Sequence, residues 1–507
     1  MLQNQEDPWR NVRRYLWLLA FITLWAGGSL ISRGTEFLAG ARTVDDTYYY
    51  LQVAWNHQRL GFPTFDGLVP TNGVQALWYL WLRGLAAVFL SKDALLAATI
   101  GSSVLCHFVA FFFIYRIGRT IDSPAFAAIG GVLWLIYGVS TRMPWSGMEN
   151  ALHALTIWWV IDVSLRLKAL EGRPFAEFCL ALTLMTWARL DSAVPALVLL
   201  GVVIWRERAT WHWRTAAPGL LIGVAGAVIY LFTMRSWGGT WIPLSGSVKQ
   251  SGIFPFVQLS PLIKAKNIFT GIWPIFSIPV FSAVILAAAC VSAWFHREQL
   301  RHLAPLAWAT GAYLLFMLVF PTTAFQRWYF SLPMILVIAG IAAVVPPKEI
   351  WSTAWLGFQI GFVGALNGPL IKMDDASIFS VRYRFAKVDE ESIFSVRYRF
   401  ARWIEANTAP DERLASWNAG QLGYFTNRTV INLDGLVNDR EYFEKVFKPQ
   451  RGLMEYLREK KVRYVIDYRD QSPGKLISNL PEQPAGNFSY LDEEGKRRTF
   501  KMWKVIE

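Results

Sequence analysis

The chain of 507 residues is 54% hydrophobic, only 17% charged and carries a net charge of +13. Its 25 Trp, 34 Phe and 18 Tyr are unusual for a soluble protein but suit a protein with two aromatic belts at the membrane interfaces. Much of the positive charge lies in short Lys/Arg clusters between apolar runs, which marks cytoplasmic loops and not a nucleic-acid surface. The composition therefore predicts a polytopic membrane protein that binds no nucleic acid.

Apolar runs suited to spans of about 20 residues recur along most of the chain. They lie near 15–33, 75–90, 94–115, 124–140, 150–165, 174–188, 193–205, 215–233, 272–295, 303–320, 328–346 and 351–369. Basic clusters place both the N-terminus and Arg116 on the cytoplasmic side, so an even number of crossings must separate them. The run at 75–90 is short and carries Arg83 at its centre. We therefore expect it to be a juxtamembrane or re-entrant helix, which leaves about 11 spans.

This topology predicts a transmembrane domain over 1–372, with outer loops at 34–93 and 234–271. The segment 373–400 holds a tandem duplication, and we expect it to be a linker whose second copy starts the first helix of the next domain. Residues 401–507 are denser in charge, with predicted strands at 413–417, 429–434 and 462–467 and a helix at 442–460. Alternating strands and helices predict a small extracytoplasmic α/β domain with a largely parallel sheet.

The segment that looks most like chemistry follows the first span. Asp45 and Asp46 open a stretch whose apolar positions, at i, i+4 spacing, predict an amphipathic helix on the membrane surface. The structural alternative is that the pair only caps this helix. The predicted topology brings further out-of-place polar residues to the same outer side. They are Glu149, Arg189, Asp191, Lys249 and Arg327, and ionisable residues at membrane depth usually mark a site.

The outer-loop motifs resemble those of the GT-C superfamily of integral-membrane glycosyltransferases. The resemblance is carried by Asp45-Asp-Thr-Tyr-Tyr-Tyr, Pro63-Thr-Phe-Asp-Gly, Pro70-Thr-Asn-Gly and the Gly-Met-Glu that ends at Glu149. The tail motifs Trp417-Asn-Ala-Gly-Gln-Leu-Gly-Tyr and Asn432-Leu-Asp-Gly-Leu-Val-Asn belong to the same likeness, but no chemistry follows from them. The resemblance implies sugar transfer from a polyprenyl-phosphate donor on the outer face of the membrane. It places the catalytic carboxylate at Asp45 or Asp46.

The chemistry of such a transfer can be assigned to these residues. A carboxylate removes the proton of the acceptor hydroxyl, and cations stabilise the departing phosphate. Adjacent side chains point apart, so we expect Asp45 to be the base and Asp46 to be a helix cap, a sugar-hydroxyl ligand or a metal ligand. Glu149 is the third carboxylate of the predicted catalytic set, and we expect it to position the sugar or the acceptor. The predicted substrate-binding set is Arg189, Asp191, Lys249, Arg327, Tyr329 and Asn72.

Each of these assignments has a structural alternative. Glu149 is also placed to cap the helix that begins at residue 150. Arg189 and Asp191 could form an ion pair that pins a turn, Lys249 could be a solvated loop residue, and Arg327 could be an interfacial anchor.

We expect no required cofactor and activity that survives chelation by EDTA, with Asp46 and Glu149 as ligands if a divalent cation takes part. The expected partners are a polyprenyl-phosphate-linked sugar, a glycan, lipid or protein acceptor, and membrane lipids. The expected location is the cytoplasmic (inner) membrane, with the active site outside. The alternative function is a transporter or flippase for a lipid-linked saccharide, which predicts inverted repeats and broken helices that the sequence does not show. A non-catalytic subunit with the tail as a binding module is the third hypothesis.

Overall fold

The computed structural model describes residues 7–41, 43–141, 143–253, 259–272, 301–319, 327–344, 393–467, 486–491 and 497–505, together with residue 355. Within this part, a helical body precedes a small C-terminal sheet. The helices before the sheet are α1 (Pro8–Ile31), α2 (Thr35–Ala41), α3 (Asp45–Leu60), α4 (Ala76–Val88), α5 (Lys92–Thr120), α6 (Pro124–Thr141), α7 (Asn150–Arg166), α8 (Gly172–Ala188), α9 (Ala193–Arg206), α10 (Trp213–Gly238), α11 (Leu244–Gln250), α12 (Pro261–Ile272), α13 (Ala304–Val319), α14 (Ser331–Val344) and α15 (Ile393–Asn407).

Three of the described helices are long and apolar enough to cross a bilayer: α1, α5 and α10. Shorter apolar helices include most of α6, α13 and α14. The predicted runs at 272–295 and 351–369 lie almost entirely outside the described residues. The chain is therefore an α-helical membrane protein with a small C-terminal α/β domain, and the total of about 11 spans stays a prediction.

The two ends of the helical body differ in what they contact. At one end, α5 begins at Lys92, whose ammonium donates to the backbone oxygen of Tyr424 in the C-terminal domain (2.5 Å). At the other end of α5, Arg116 pairs with the buried Asp162 of α7 (3.1 Å), which also pairs with Arg166 (2.9 Å). From Lys92 to Arg116, α5 rises about 36 Å, so the domain and these ion pairs lie at opposite ends of the body.

The helix α4 does not cross from one end to the other. The helix α2, which follows α1, packs against α15 of the C-terminal domain, and α5 also begins beside that domain. The segment between them therefore starts and ends at the same end of the body, and α4 has only 13 residues. This is consistent with a juxtamembrane or re-entrant helix at 75–90, and its place relative to the membrane stays a prediction.

The C-terminal domain is a five-stranded mixed sheet with the order β2-β1-β3-β5-β4. Its strands are β1 (Arg413–Ser416), β2 (Val430–Asn432), β3 (Val462–Asp467), β4 (Gly486–Leu491) and β5 (Arg497–Lys504), and its short helices are α16 (Gly420–Phe425) and α17 (Leu453–Glu459). The first three strands are parallel, as predicted, but β5 pairs antiparallel with both β3 and β4. The prediction of a largely parallel sheet is thus wrong for the two C-terminal strands.

The helix α15 opens this domain, and it begins within the second copy of the duplicated segment, as predicted. Phe400 of α15 packs against Phe500 and Phe488 of the sheet, with ring centroids 5.1 and 5.4 Å apart. The helix is therefore held by aromatic packing on one face of the sheet. The first copy of the duplication lies outside the described residues.

Candidate active site

A cluster of charged side chains lies where the helical body meets the C-terminal domain. Four segments contribute to it: the first turn of α3, the start of α7, the turn between α8 and α9, and α11. Lys249 of α11 interacts electrostatically with Asp46, Arg189, Glu149 and Tyr329. The structure thus brings together polar residues that the sequence placed in separate outer loops.

The two adjacent aspartates are used differently. The side chain of Asp45 is 7% exposed, and its two oxygens accept the backbone N–H groups of Gly420 (3.0 Å) and Gln421 (2.9 Å) at the start of α16. Burial raises the pKa of Asp45 to about 7, while Arg397 and the two N–H donors oppose the rise. Asp45 therefore binds the C-terminal domain through both of its carboxylate oxygens.

Asp46 is half-buried and lies beside Lys249, which is also half-buried. Burial raises the pKa of Asp46, and the ammonium of Lys249 lowers it. Burial also acts to lower the pKa of Lys249, but Tyr329 and Asp46 keep that pKa above its ordinary value. The predicted role of Asp46 as a helix cap is wrong, because the N-cap of α3 is Val44 and no side chain makes a capping bond there.

Arg189 is the centre of a buried ion-pair network. Its guanidinium binds Glu149 (2.7 Å) and Asp191 (2.8 Å) and lies over the ring of Tyr329 (4.6 Å). The hydroxyl of Tyr313 donates to Asp191 (2.9 Å). Arg189 and Glu149 are 3% and 2% exposed. The network combines one guanidinium with two carboxylates and fixes the position of Arg189 under Tyr329.

Three of the structural alternatives can be compared with this network. The ion pair between Arg189 and Asp191 is present, and it is extended by Glu149. Glu149 is the N-cap residue of α7, but its side chain makes no capping hydrogen bond. Burial raises the pKa of Glu149 and Arg189 opposes that rise, whereas Arg189 keeps the pKa of Asp191 below its ordinary value in spite of burial. Lys249 is not a solvated loop lysine, because it lies on α11 inside the cluster.

Asn72, which the sequence predicts to contact substrate, is used entirely within the protein. Its side chain is fully buried, and Leu244 N–H donates to its Oδ1 (3.0 Å). Its Nδ2 lies within hydrogen-bond distance of Met234 O (3.0 Å), Thr240 O (3.1 Å) and Ile242 O (3.3 Å). These contacts join the end of α10 to the start of α11, so Asn72 fixes the helix that carries Lys249.

The remaining predicted site residues are Arg327 and Tyr329. Both lie in a short 3-10 helix, Arg327–Phe330. Tyr329 is half-buried and belongs to the cluster through Arg189 and Lys249. The side chain of Arg327 lies outside the described part of the structure, so its predicted contact with substrate stays a prediction.

Asp46 and Glu149 are the predicted ligands of a divalent cation. Among the residues that the structure describes, no group of three or more His, Cys, Asp and Glu side chains is arranged to hold a metal ion. One oxygen of Glu149 is already bound to the guanidinium of Arg189 at 2.7 Å. These side chains do not form a metal-ligand set, and metal dependence stays a prediction.

Sequence reasoning missed the partners of the outer loop in the C-terminal domain. Tyr49 of α3 donates its hydroxyl to Asp434 (3.0 Å), which also accepts Asn418 N–H (2.6 Å). The sequence marks the tail motifs around Gly420 and Asp434 as part of the family resemblance but assigns no chemical role to them. The glycines of these motifs could have indicated a close backbone contact. A Cβ at Gly420 would lie 2.2 Å from the backbone oxygen of Asp45, so only glycine permits this approach.

Comparisons with known proteins place this geometry in context. No curated protein matches the chain. Residues 389–506 match a family model described as Domain of unknown function (DUF8728).

Solved membrane-protein structures match over nearly the whole chain. ArnT from Cupriavidus metallidurans, bound to undecaprenyl phosphate, is 11% identical with a TM-score of 0.58, over 97% of this chain and 98% of that one. The oligosaccharyltransferase of Archaeoglobus fulgidus, tethered with an acceptor peptide, is 12% identical with a TM-score of 0.51, over 98% of this chain and 74% of that one. Identities this low show the fold alone, and they confirm the GT-C resemblance at the level of the fold.

Proposed function

We propose that this chain, whose fold is that of the GT-C membrane glycosyltransferases, transfers a sugar from a polyprenyl-phosphate donor to an acceptor hydroxyl. The observation that carries the proposal is one cluster in which Lys249 interacts electrostatically with Asp46 and with Arg189. A base and two cations are what displacement of a phosphate by a hydroxyl requires. The bound undecaprenyl phosphate of the similar ArnT structure supports the class of donor.

Asp46 is the base in this proposal, which exchanges the roles that the sequence gave to the two aspartates. Both oxygens of Asp45 accept backbone N–H groups, and its side chain is almost fully buried. Asp46 is half-buried, so it keeps a face that an acceptor can reach. Burial raises the pKa of Asp46, and Lys249 opposes that rise, which favours the ionised form that a base must have.

The reaction balances as a single inverting displacement. The acceptor hydroxyl gives its proton to the Asp46 carboxylate while its oxygen forms a bond to the anomeric carbon. The bond from that carbon to the phosphate oxygen breaks, and polyprenyl phosphate leaves with the electron pair. Lys249 and Arg189 neutralise the charge that develops on the phosphate, where charge-assisted hydrogen bonds are strongest.

Glu149 and Asp191 act through Arg189 in this proposal. They bind its guanidinium from two sides at 2.7 and 2.8 Å, so the cation is already in place before the donor arrives. Tyr329 covers the guanidinium face. Preorganised charges of this kind need no rearrangement during the reaction.

We place this site on the extracytoplasmic face of the cytoplasmic membrane. The support is that Arg116 and Arg166 lie at the opposite end of the helical body, and basic residues mark the cytoplasmic side. An impermeant thiol reagent added outside should label a cysteine placed at position 58, which is exposed near the end of α3, and not one at the exposed position 168. The reverse pattern would contradict the placement.

The proposal is tested with purified protein and a panel of polyprenyl-phosphate sugars. We expect free polyprenyl phosphate to be released in step with a new glycoside on an added acceptor. In sealed liposomes, movement of the donor across the bilayer without release of polyprenyl phosphate would instead identify a transporter. Absence of transfer with every donor of the panel would count against the proposal.

A further inference from the structure

We propose that the C-terminal domain positions Asp46 and Lys249 relative to each other, through a segment of three residues, 434–436, that we call the clasp. The inference rests on the proposed function. It gives a role to the domain that matches a family model of unknown function. The clasp contacts both outer loops that carry the charged cluster.

The first contact of the clasp is with α3. Asp434 is 4% exposed and accepts the hydroxyl of Tyr49 at 3.0 Å, while Asn418 N–H donates to the same oxygen at 2.6 Å. Tyr49 follows Asp46 by three residues, which is nearly one helical turn. Fixing the Tyr49 hydroxyl therefore fixes the turn of α3 that presents Asp46.

The second contact is with the segment that holds α11. A Cβ placed at Gly73 would lie 1.8 Å from the backbone oxygen of Leu436, so the two backbones are in direct contact. Gly73 follows Asn72, whose amide fixes the start of α11. A Cβ at Gly435 would lie 3.4 Å from Val248, the neighbour of Lys249. The same three residues thus touch the supports of both reacting groups.

A separate tether keeps the clasp in place. Asp45 binds the first two N–H groups of α16, and α16 packs along α3. Arg189, by contrast, is held by Glu149 and Asp191 within the helical body. Loosening only the contact of the clasp with α3 should therefore disturb the base more than the phosphate site, and it should lower kcat more than the affinity for polyprenyl phosphate.

The test is a double-mutant cycle with Tyr49→Phe and Asp434→Asn. Tyr49→Phe removes the hydrogen bond to Asp434, and Asp434→Asn weakens that bond together with the one from Asn418 N–H. From each change we expect a loss of kcat on the order of 10-fold. Because both act on one bond, the double variant should lose no more than about the larger single loss. The matched control is Tyr456→Phe, which removes a hydroxyl bonded to Asn438 (3.2 Å) within the domain and should keep kcat.

The outcomes separate this inference from the proposed function. If the wild type transfers sugar and Tyr49→Phe keeps its kcat, or if the two losses simply multiply, the clasp does not position the base. A drop in both kcat and polyprenyl-phosphate affinity, shared by the control, would mean a merely structural role. If the wild type transfers no sugar, hydrogen exchange still decides: unchanged protection of residues 45–53 in Tyr49→Phe would overturn the clasp.

Discussion

Replacing Asn72 by alanine should weaken the binding of polyprenyl phosphate without touching the ligand. The change removes the acceptor of the buried Leu244 N–H (3.0 Å) and a donor to Thr240 O (3.1 Å). The carbonyl of Ile242 keeps a donor, because the Thr240 hydroxyl also bonds to it at 2.8 Å. The hydrogen bond that nothing else replaces is therefore the one from Leu244 N–H. An unsatisfied buried donor of this kind costs about 2 kcal/mol, which shifts the equilibrium between the bound and the released position of α11 roughly 30-fold toward release.

The assay is the dissociation constant of undecaprenyl phosphate, measured beside the thermal unfolding midpoint. We expect both to worsen in Asn72→Ala, with kcat at saturating donor reduced less, since Lys249 acts mainly on the phosphate. The matched control is Asn56→Ala. Asn56 donates to the carbonyls of Thr64 (3.2 Å) and Phe65 (2.9 Å) in the same outer loop, away from α11. Unchanged phosphate affinity in Asn72→Ala, or an equal loss in the control, would refute the reasoning.

Three other predictions concern the charged cluster. In Lys249→Met the acidic limb of the pH profile of kcat/KM should move to higher pH, because the lost ammonium lowers the pKa of Asp46; an unmoved limb would contradict the pairing. Glu149→Gln should weaken phosphate binding and lower the unfolding midpoint, because it breaks a buried ion pair and leaves Arg189 with one carboxylate. A loss of turnover alone would instead make Glu149 a reacting group. Transfer should survive EDTA, and loss with rescue by a divalent ion would overturn this.

The sequence predicts that these charged residues come together, because an unpaired charge at membrane depth costs free energy. Glu149, Arg189 and Asp191 flank apolar runs, and such residues persist where they pair or serve a site. The sequence gives no register between distant loops. Asp45 could not be told from Asp46, because the partners of Asp45 in α16 lie 375 and 376 residues away. Asn72 was misassigned for the same reason, since its carbonyl partners are 162 to 170 residues distant.

The fold of the C-terminal domain was predictable in its first half only. The strands β1, β2 and β3 are short apolar runs bounded by turns, and these runs mark parallel strands. The strand β5 is rich in Arg and Lys, and its strand character shows only in the alternation that buries Phe500 and Met502. Because β5 lies between β3 and β4, its charge does not mark a sheet edge, and its composition alone does not reveal a strand inside the sheet.

The central claim is that Asp46 is the base and Asp45 a tether, and single-turnover transfer with the Asp46→Asn and Asp45→Asn variants tests it most directly. We predict that Asp46→Asn loses roughly 10²–10⁴-fold in the rate of transfer and binds polyprenyl phosphate as the wild type does. Asp45→Asn should keep measurable transfer and lose domain stability. Near-wild-type transfer in Asp46→Asn, with transfer abolished in a folded Asp45→Asn, would contradict the assignment.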